Sequence, residues 1–292
     1  MRARRDSLGS KRMVSGSIGW LHRGRAVLVL IVVGVIVLSL YSLLWEPNDL
    51  KVRRIVLYFP ALPDQADGWT IGVISDLHMR RIGSRERKVL DVLNTDPPRF
   101  LFILGDFVSR SRDRNACLSF LRMLPNNVPK YAIQGNWEHY VNWVGERLRE
   151  DLSGVDIRLL DNEATQLLQN FWLVGVDDPS LDLDDQRTAM SQARDGFVIM
   201  LAHSPEIASR LSPGVDLVLS GHTHGGQVVL PLIGAPWGKA IGGGYRYGLF
   251  ELKAAKLYVT SGVGMTHLPV RFLCPPEVVY VELRKGDGPQ DQ

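Results

Sequence analysis

The chain has 292 residues, 45% hydrophobic and 22% charged, with a net charge of +3. That is long enough for one large domain with a sizeable core, plus an appendage. The charge is uneven: residues 1–25 hold seven Arg/Lys against one Asp (+6), so the remaining 27 basic and 30 acidic residues give −3, which excludes a basic nucleic-acid binder.

The two cysteines, Cys117 and Cys274, form no CxxC pair. This excludes a zinc knuckle or a CxxC redox centre and leaves two unpaired thiols. After the basic segment 1–25, residues 26–45 read AVLVLIVVGVIVLSLYSLLW, without a charge. Twenty helical residues at about 1.5 Å each span roughly the 30 Å of a hydrocarbon core. The run exceeds the about 7–15 apolar residues of a signal peptide, and no Ala-x-Ala site follows. Tyr41 and Trp45 suit the membrane interface. The basic excess before the run, against Lys51, Arg53 and Arg54 after it, puts the N-terminus in the cytoplasm and the body outside. The expected location is a cell membrane, crossed once, with the bilayer as partner through residues 26–45.

Residues 46–68 read as a linker, opening on Glu46-Pro47-Asn48-Asp49, and a first strand. Strands are expected near 52–58, 69–75, 100–104, 129–133, 171–176, 197–201, 216–220, 256–260 and 278–283. Several are apolar without alternation, as in strands buried on both faces. Helical patterns lie near 84–94, 113–123, 140–150, 185–194 and 205–211, the last opening on Ser204-Pro205-Glu206. The alternation predicts an α/β domain.

In such domains ligands sit beyond the carboxyl ends of strands. Five polar clusters occupy those positions: Asp76-Leu77-His78, Gly105-Asp106, Gly135-Asn136, His203 and Gly221-His222-Thr223-His224. Asp76 and His78, two apart in an extended segment, are expected to share one face. Asp106 ends a buried strand, where a carboxylate is costly unless paired or metal-bound. Asn136 alone reads as a turn residue. His222 and His224 lie between glycines that allow close backbone approach. Carboxylate with imidazole suits Mn, Fe or Zn more than Ca. Two adjacent metals imply hydrolysis of a phosphate ester or anhydride.

The ordered set Asp-x-His, Gly-Asp, Gly-Asn, His, Gly-His-x-His resembles the calcineurin-like metallophosphoesterase superfamily over about residues 69–283. Gly221–Gln227 and the tail Tyr258–Gly264, Pro269-Val270-Arg271 and Pro275-Pro276-Glu277 resemble a bacterial membrane-associated branch that includes UDP-2,3-diacylglucosamine hydrolases. The resemblance implies a four-layer α/β/β/α sandwich, preceded here by one transmembrane helix, with residues 69–292 as catalytic domain. It implies two divalent cations, Mn²⁺ foremost, with Fe, Zn or Mg as alternatives. Asp76, His78 and His224 hold the first, Asn136, His203 and His222 the second, and Asp106 bridges both and takes part in catalysis. The substrate implied is a phosphodiester or pyrophosphate, and the tether adds the lipid-linked class, UDP-2,3-diacylglucosamine among them, by raising its effective concentration. No nucleic acid is expected. Arg80, Arg81 and, in the tail, Arg271 are the phosphate-contact candidates.

One position departs from the family pattern. Where the family has His after Gly-Asn, this chain has Trp137, and the next imidazole is His139. An indole N–H is no acid at neutral pH, so His139 becomes the candidate for leaving-group protonation. His267 reads as an ordinary loop residue. The alternative function is a non-catalytic scaffold on the same fold; the complete ligand set argues against it and Trp137 for it.

Overall fold

Three apolar clusters, rather than one, order the body in the computed structural model. The structure describes residues 10–236 and 241–289, with side chains from residue 24 onward, so most of the basic segment 1–25 lies outside the described side chains.

The N-terminal helix α1 (Ser10–Leu40) continues through a wide turn (Tyr41–Trp45) and a 3₁₀ turn (Glu46–Asn48). Its segment Gly24–Asn48 is long and apolar enough to cross a membrane. Where the sequence reads as a linker, the structure has a clasp. Glu46 is buried, and its carboxylate accepts the Leu273 N–H at 2.9 Å and the Cys274 N–H at 2.5 Å.

The first sheet contains β1 (Lys51–Phe59), β2 (Thr70–Ile74), β3 (Phe100–Ile103), β4 (Lys130–Ala132), β5 (Ile157–Leu159) and β12 (Glu277–Lys285), in the order β1-β12-β2-β3-β4-β5. The second contains β6 (Glu163–Leu168), β7 (Phe171–Gly175), β8 (Phe197–Leu201), β9 (Leu217–Ser220), β10 (Gly248–Glu251) and β11 (Lys256–Val259), in the order β10-β11-β9-β8-β7-β6. Three pairs, β12–β2, β10–β11 and β6–β7, are antiparallel. The helices are α2 (Ser84–Thr95), α3 (Arg114–Leu121), α4 (Asn136–Tyr140), α5 (Gly145–Ser153) and α6 (Gln186–Gln192).

The clusters define the layers. Phe100 and Phe102 pack in the cluster shared with Phe171, Phe197 and Ile199, between the two sheets. Leu101 and Ile103, one residue out of phase, pack with Val89, Phe120 and Leu148 of the helices. On the far side, Val198 and Met200 pack with Ala189 and Ile207. Helix, sheet, sheet and helix therefore form the expected four-layer sandwich. The strand period of two is present, but the sequence hides it because both faces are apolar. Each such side chain contributes about 1.5–3 kcal/mol when fully buried. Parallel register pairs Ile74 with Ile103, and Leu201 with Leu219, so their following loops emerge at one end.

The sequence misplaces some elements. The helix expected at 140–150 is two helices, α4 and α5, separated by a turn. The one expected at 205–211 is a 3₁₀ helix (Pro205–Arg210), with Ser204 Oγ accepting the Glu206 N–H at 3.4 Å. Both cysteines are buried and free.

Candidate metal centre

Every sequence cluster follows the carboxyl end of a strand: Asp76 and His78 follow β2, Asp106 β3, Asn136 β4, His203 β8, and His222 and His224 β9. The first four come from one sheet and the last three from the other, so the site straddles the inter-sheet seam. Ligand atoms of Asp76, His78, Asp106 and His224 lie within 4.8 Å of one another, and so do those of Asp106, His203 and His222. Asp106 is common to both groups. Asn136 Oδ1 lies 3.1 Å from His222 Nδ1, which places all seven residues together.

The local geometry differs from the expected extended segments. Asp76, His78, Asp106, His222 and His224 have φ of 52°, 41°, 55°, 68° and 50°. Side-chain convergence arises from left-handed turns rather than from i, i+2 alternation on a strand. Such backbone costs about 1–3 kcal/mol per residue and persists where surrounding structure over-determines it. Here cross-links between loops do so: Asp76 N–H donates to the Gly105 carbonyl at 3.1 Å, His78 N–H to the Asp106 carbonyl at 2.9 Å, and Gly221 N–H to the His203 carbonyl at 2.9 Å. Two glycines are sterically required. A Cβ on Gly221 would lie 2.0 Å from Ser75 Oγ and 2.4 Å from Asp76 Oδ2. One on Gly135 would lie 2.5 Å from Asp106 Oδ1.

The donor set fits two divalent cations. His203 Nδ1 donates to the Leu104 carbonyl at 2.6 Å, which turns its buried Nε2 toward the cluster, 3.3 Å from Asp106 Oδ2. His78 Nδ1 is held by Ser109 Oγ at 2.9 Å, so its Nε2 faces the cluster, 3.0 Å from His224 Nε2. Second partners of this kind fix tautomer and ring orientation in metal-binding histidines. Burial keeps His78 and His222 neutral, lowering each to about 4, and holds His224 well below its ordinary value. Neutral imidazoles are the ligating form. Burial raises Asp76 to about 6. Burial opposes charge on His203 and Asp106 as well, but their mutual attraction wins, holding His203 well above its usual value and Asp106 below the carboxylate range. The buried carboxylates thus demand positive charge. Divalent cations held by the neutral imidazoles would meet that demand.

Glu138 is a supporting residue that the sequence reading missed. Fully buried, it accepts the N–H groups of Asp106 (2.8 Å), Phe107 (2.8 Å) and Gly135 (2.9 Å). It therefore ties the loop after β3 to the loop after β4. Burial, then the Asp106 charge, raises it to about 8, while the N–H donors act against that rise. The signal was available: Glu three residues after Gly135, at a helix start, is the acidic half of a capping box.

The backbone N–H of Trp137 donates to Asp106 Oδ1 at 3.0 Å, and the indole ring stands edge-on to His78 (5.5 Å) and His267 (5.7 Å). The loop residue His267 thus lies beside Trp137 near the site. His139 Nε2 lies 2.8 Å from Asp177 Oδ1, and that hydrogen bond, against burial, raises its pKa. Arg80 and Arg81 are exposed and line a cleft of about 340 Å³ that reaches His78. Arg271 requires a correction. It is fully buried, and its guanidinium donates to the carbonyls of Gly264, Cys274, Ser261 and Gly262. Its side chain is buried among main-chain carbonyls rather than facing the cleft; Arg271 organises the tail behind the site.

A family model for calcineurin-like phosphoesterases matches residues 70–226, just over half of the chain and the span that holds all seven residues. The chain belongs to that family. It is 32% identical to an uncharacterised metallophosphoesterase of Aquifex aeolicus, over 87% of this chain and 98% of that protein. It is 30% identical to phosphodiesterase YaeI of Escherichia coli, over 82% and 90%. A zebrafish transmembrane protein with a metallophosphoesterase domain is 27% identical over 90% of this chain and 63% of its own length. The phosphoesterase is accordingly a metal-dependent phosphoester hydrolase, and its buried His/Asp cluster fits a dinuclear divalent site.

Proposed function

We propose that this phosphoesterase is a membrane-anchored hydrolase of a phosphodiester or pyrophosphate bond in a lipid-linked substrate. The observation that carries the chemistry is the convergence of seven donor side chains on two overlapping groups that share Asp106. Asp76, His78 and His224 would hold one cation, Asn136, His203 and His222 the other, with Mn²⁺ the foremost metal. Bound there, the pair supplies Lewis acidity toward the phosphoryl oxygens and activates a water for in-line attack. The protein's part is to fix this donor set through Ser109, the Leu104 carbonyl and Glu138. His139, held by Asp177, is the candidate proton donor to the leaving oxygen in place of the imidazole that Trp137 displaces. Arg80 and Arg81 offer cationic contacts to phosphate.

Three observations favour the membrane reading: the apolar helix, the basic excess before it, and the relative whose name includes a transmembrane protein. The charge asymmetry orients the body outward. UDP-2,3-diacylglucosamine needs a cytoplasmic active site, so the side of the membrane discriminates between it and other lipid-linked esters. A C-terminal reporter active in one compartment only decides the side. The alternative, an idle scaffold, draws its support from Trp137. The deciding assay is Mn²⁺-dependent turnover of a chromogenic phosphodiester. No Mn²⁺-dependent turnover, and no loss on His222→Ala, favours the scaffold.

A further inference from the structure

Two loops of the body, 228–235 and 266–273, run beside the N-terminal helix instead of stopping at its end. They are tied to each other: Val229 N–H donates to the Phe272 carbonyl at 2.8 Å, and Phe272 N–H to the Gln227 carbonyl at 3.0 Å. They are fastened to the helix end by Arg271 N–H on the Ser42 carbonyl (3.0 Å) and by Glu46. Val228, Leu230 and Phe272 face Val35 and Leu38 across an apolar groove of about 390 Å³. Val35 is ten residues before Trp45, about 15 Å along a helix axis. The groove therefore reaches alongside the apolar span rather than lying beyond it.

The outer faces of these loops are apolar too. Leu232 is fully exposed, Ile233 72% and Leu268 60%. Segment 228–235 has no charged residue, and the only one in 266–273, Arg271, is buried and satisfied; His267 is the one other titratable side chain. In water such a surface is unfavourable, and a contiguous apolar patch marks a contact. The neck of loop 228–235 pairs its backbone polar groups internally, the arrangement a low-dielectric setting favours. Leu230 and Gly234 exchange both N–H···O bonds, each at 2.8 Å.

The cleft beside the metal cluster opens on this same side. Pro47, Met265 and Pro269 line it together with Arg80 and Arg81. Leu43 lines both the cleft and the groove. The cleft and the groove are therefore neighbours on either side of one residue.

We propose that the body is seated in the bilayer: loops 228–235 and 266–273 enter one leaflet beside the helix, and the cleft opens at headgroup level. This rests on the reading of residues 26–45 as a membrane span. The test uses full-length protein in phosphatidylglycerol–phosphatidylethanolamine nanodiscs. Nitroxides are attached at Ile233→Cys, Leu268→Cys, Val33→Cys within the span, and Met123→Cys at the opposite end of the strands. Depth is read from relaxation by oxygen against a water-soluble nickel chelate. The labels at 233 and 268 should favour oxygen, like that at 33, and lie about 5–10 Å below the lipid phosphates, the depth of interfacial apolar elements. The label at 123 should favour nickel. If 33 is lipid-exposed while 233 and 268 favour nickel, the anchor stands and the seating is wrong. If 233 and 268 are shielded from both reagents, another protein covers the loops and the seating is again wrong. If 33 also favours nickel, the span reading itself fails.

Discussion

His139 Nε2 and Asp177 Oδ1 lie 2.8 Å apart, although 38 residues separate them in the chain. The hydrogen bond, then the charge of Asp177, raises His139 above its ordinary value against the effect of burial. A raised imidazole gives a stabilising contribution that is complete below the unfolded value of about 6.5 and is lost as pH rises through the folded value. In NMR titration the His139 ring should titrate above that of a free histidine, and Asp177→Asn should move it down. If His139 protonates the leaving group, His139→Ala should lower kcat by about a hundredfold or more for esters with poor leaving groups. The loss should be far smaller for a nitrophenolate leaving group, which needs no proton. Equal losses for both would remove His139 from that role.

Metal removal should act on stability as well as on turnover, because the cations bind only the folded donor set. Chelation should lower Tm and abolish phosphodiester hydrolysis, with Mn²⁺ restoring both. Gly221→Ala should reproduce much of this loss, since the added methyl would meet Ser75 Oγ and Asp76 Oδ2. Elemental analysis of that variant is the check, and full metal content would contradict the steric account.

Glu138 contacts three backbone N–H groups on two of the metal-site loops. Glu138→Ala would strand them in a dry interior. Each unsatisfied buried group costs about 1–3 kcal/mol, so the variant should lose about 3 kcal/mol or more in urea denaturation. Its metal affinity should fall too, because Asp106 loses its brace. A loss under about 1 kcal/mol would show that water replaces the carboxylate.

Two kinds of arginine should separate by their phenotypes. Arg271→Met leaves carbonyls at Ser261, Gly262, Gly264 and Cys274 without their donor, and should destabilise the fold by about 3 kcal/mol or more. Arg80→Ala and Arg81→Ala alter exposed side chains at the cleft. They should leave Tm unchanged and raise KM for a phosphodiester. Unchanged kinetics in both would remove these residues from the binding of phosphate.

The candidate donors are legible in the sequence because each follows a buried apolar strand, where a polar side chain needs a purpose. Most central strands were legible for the same reason. Three strands were not: β5, β6 and β10, each at or beside a sheet edge. Their partly exposed faces allow polar residues, as in Glu163–Leu168, and dilute the apolar run. The Arg271 reading failed because a lone Arg in a tail motif carries no mark of whether it faces substrate or carbonyl oxygens.

Sequence alone determined the order of the polar clusters at strand ends, the apolar span and the layered α/β plan, since all three follow from residue type and local periodicity. Tertiary structure decided which of these side chains lie together, that left-handed turns aim them, and that Glu138, Asp177 and Glu46 act as braces. The physical reason is range. Hydrophobic patterning repeats within a few residues, whereas the contacts of Asp76 with His222 and of Glu46 with Cys274 join positions 146 and 228 residues apart, and form only when the sheets pack.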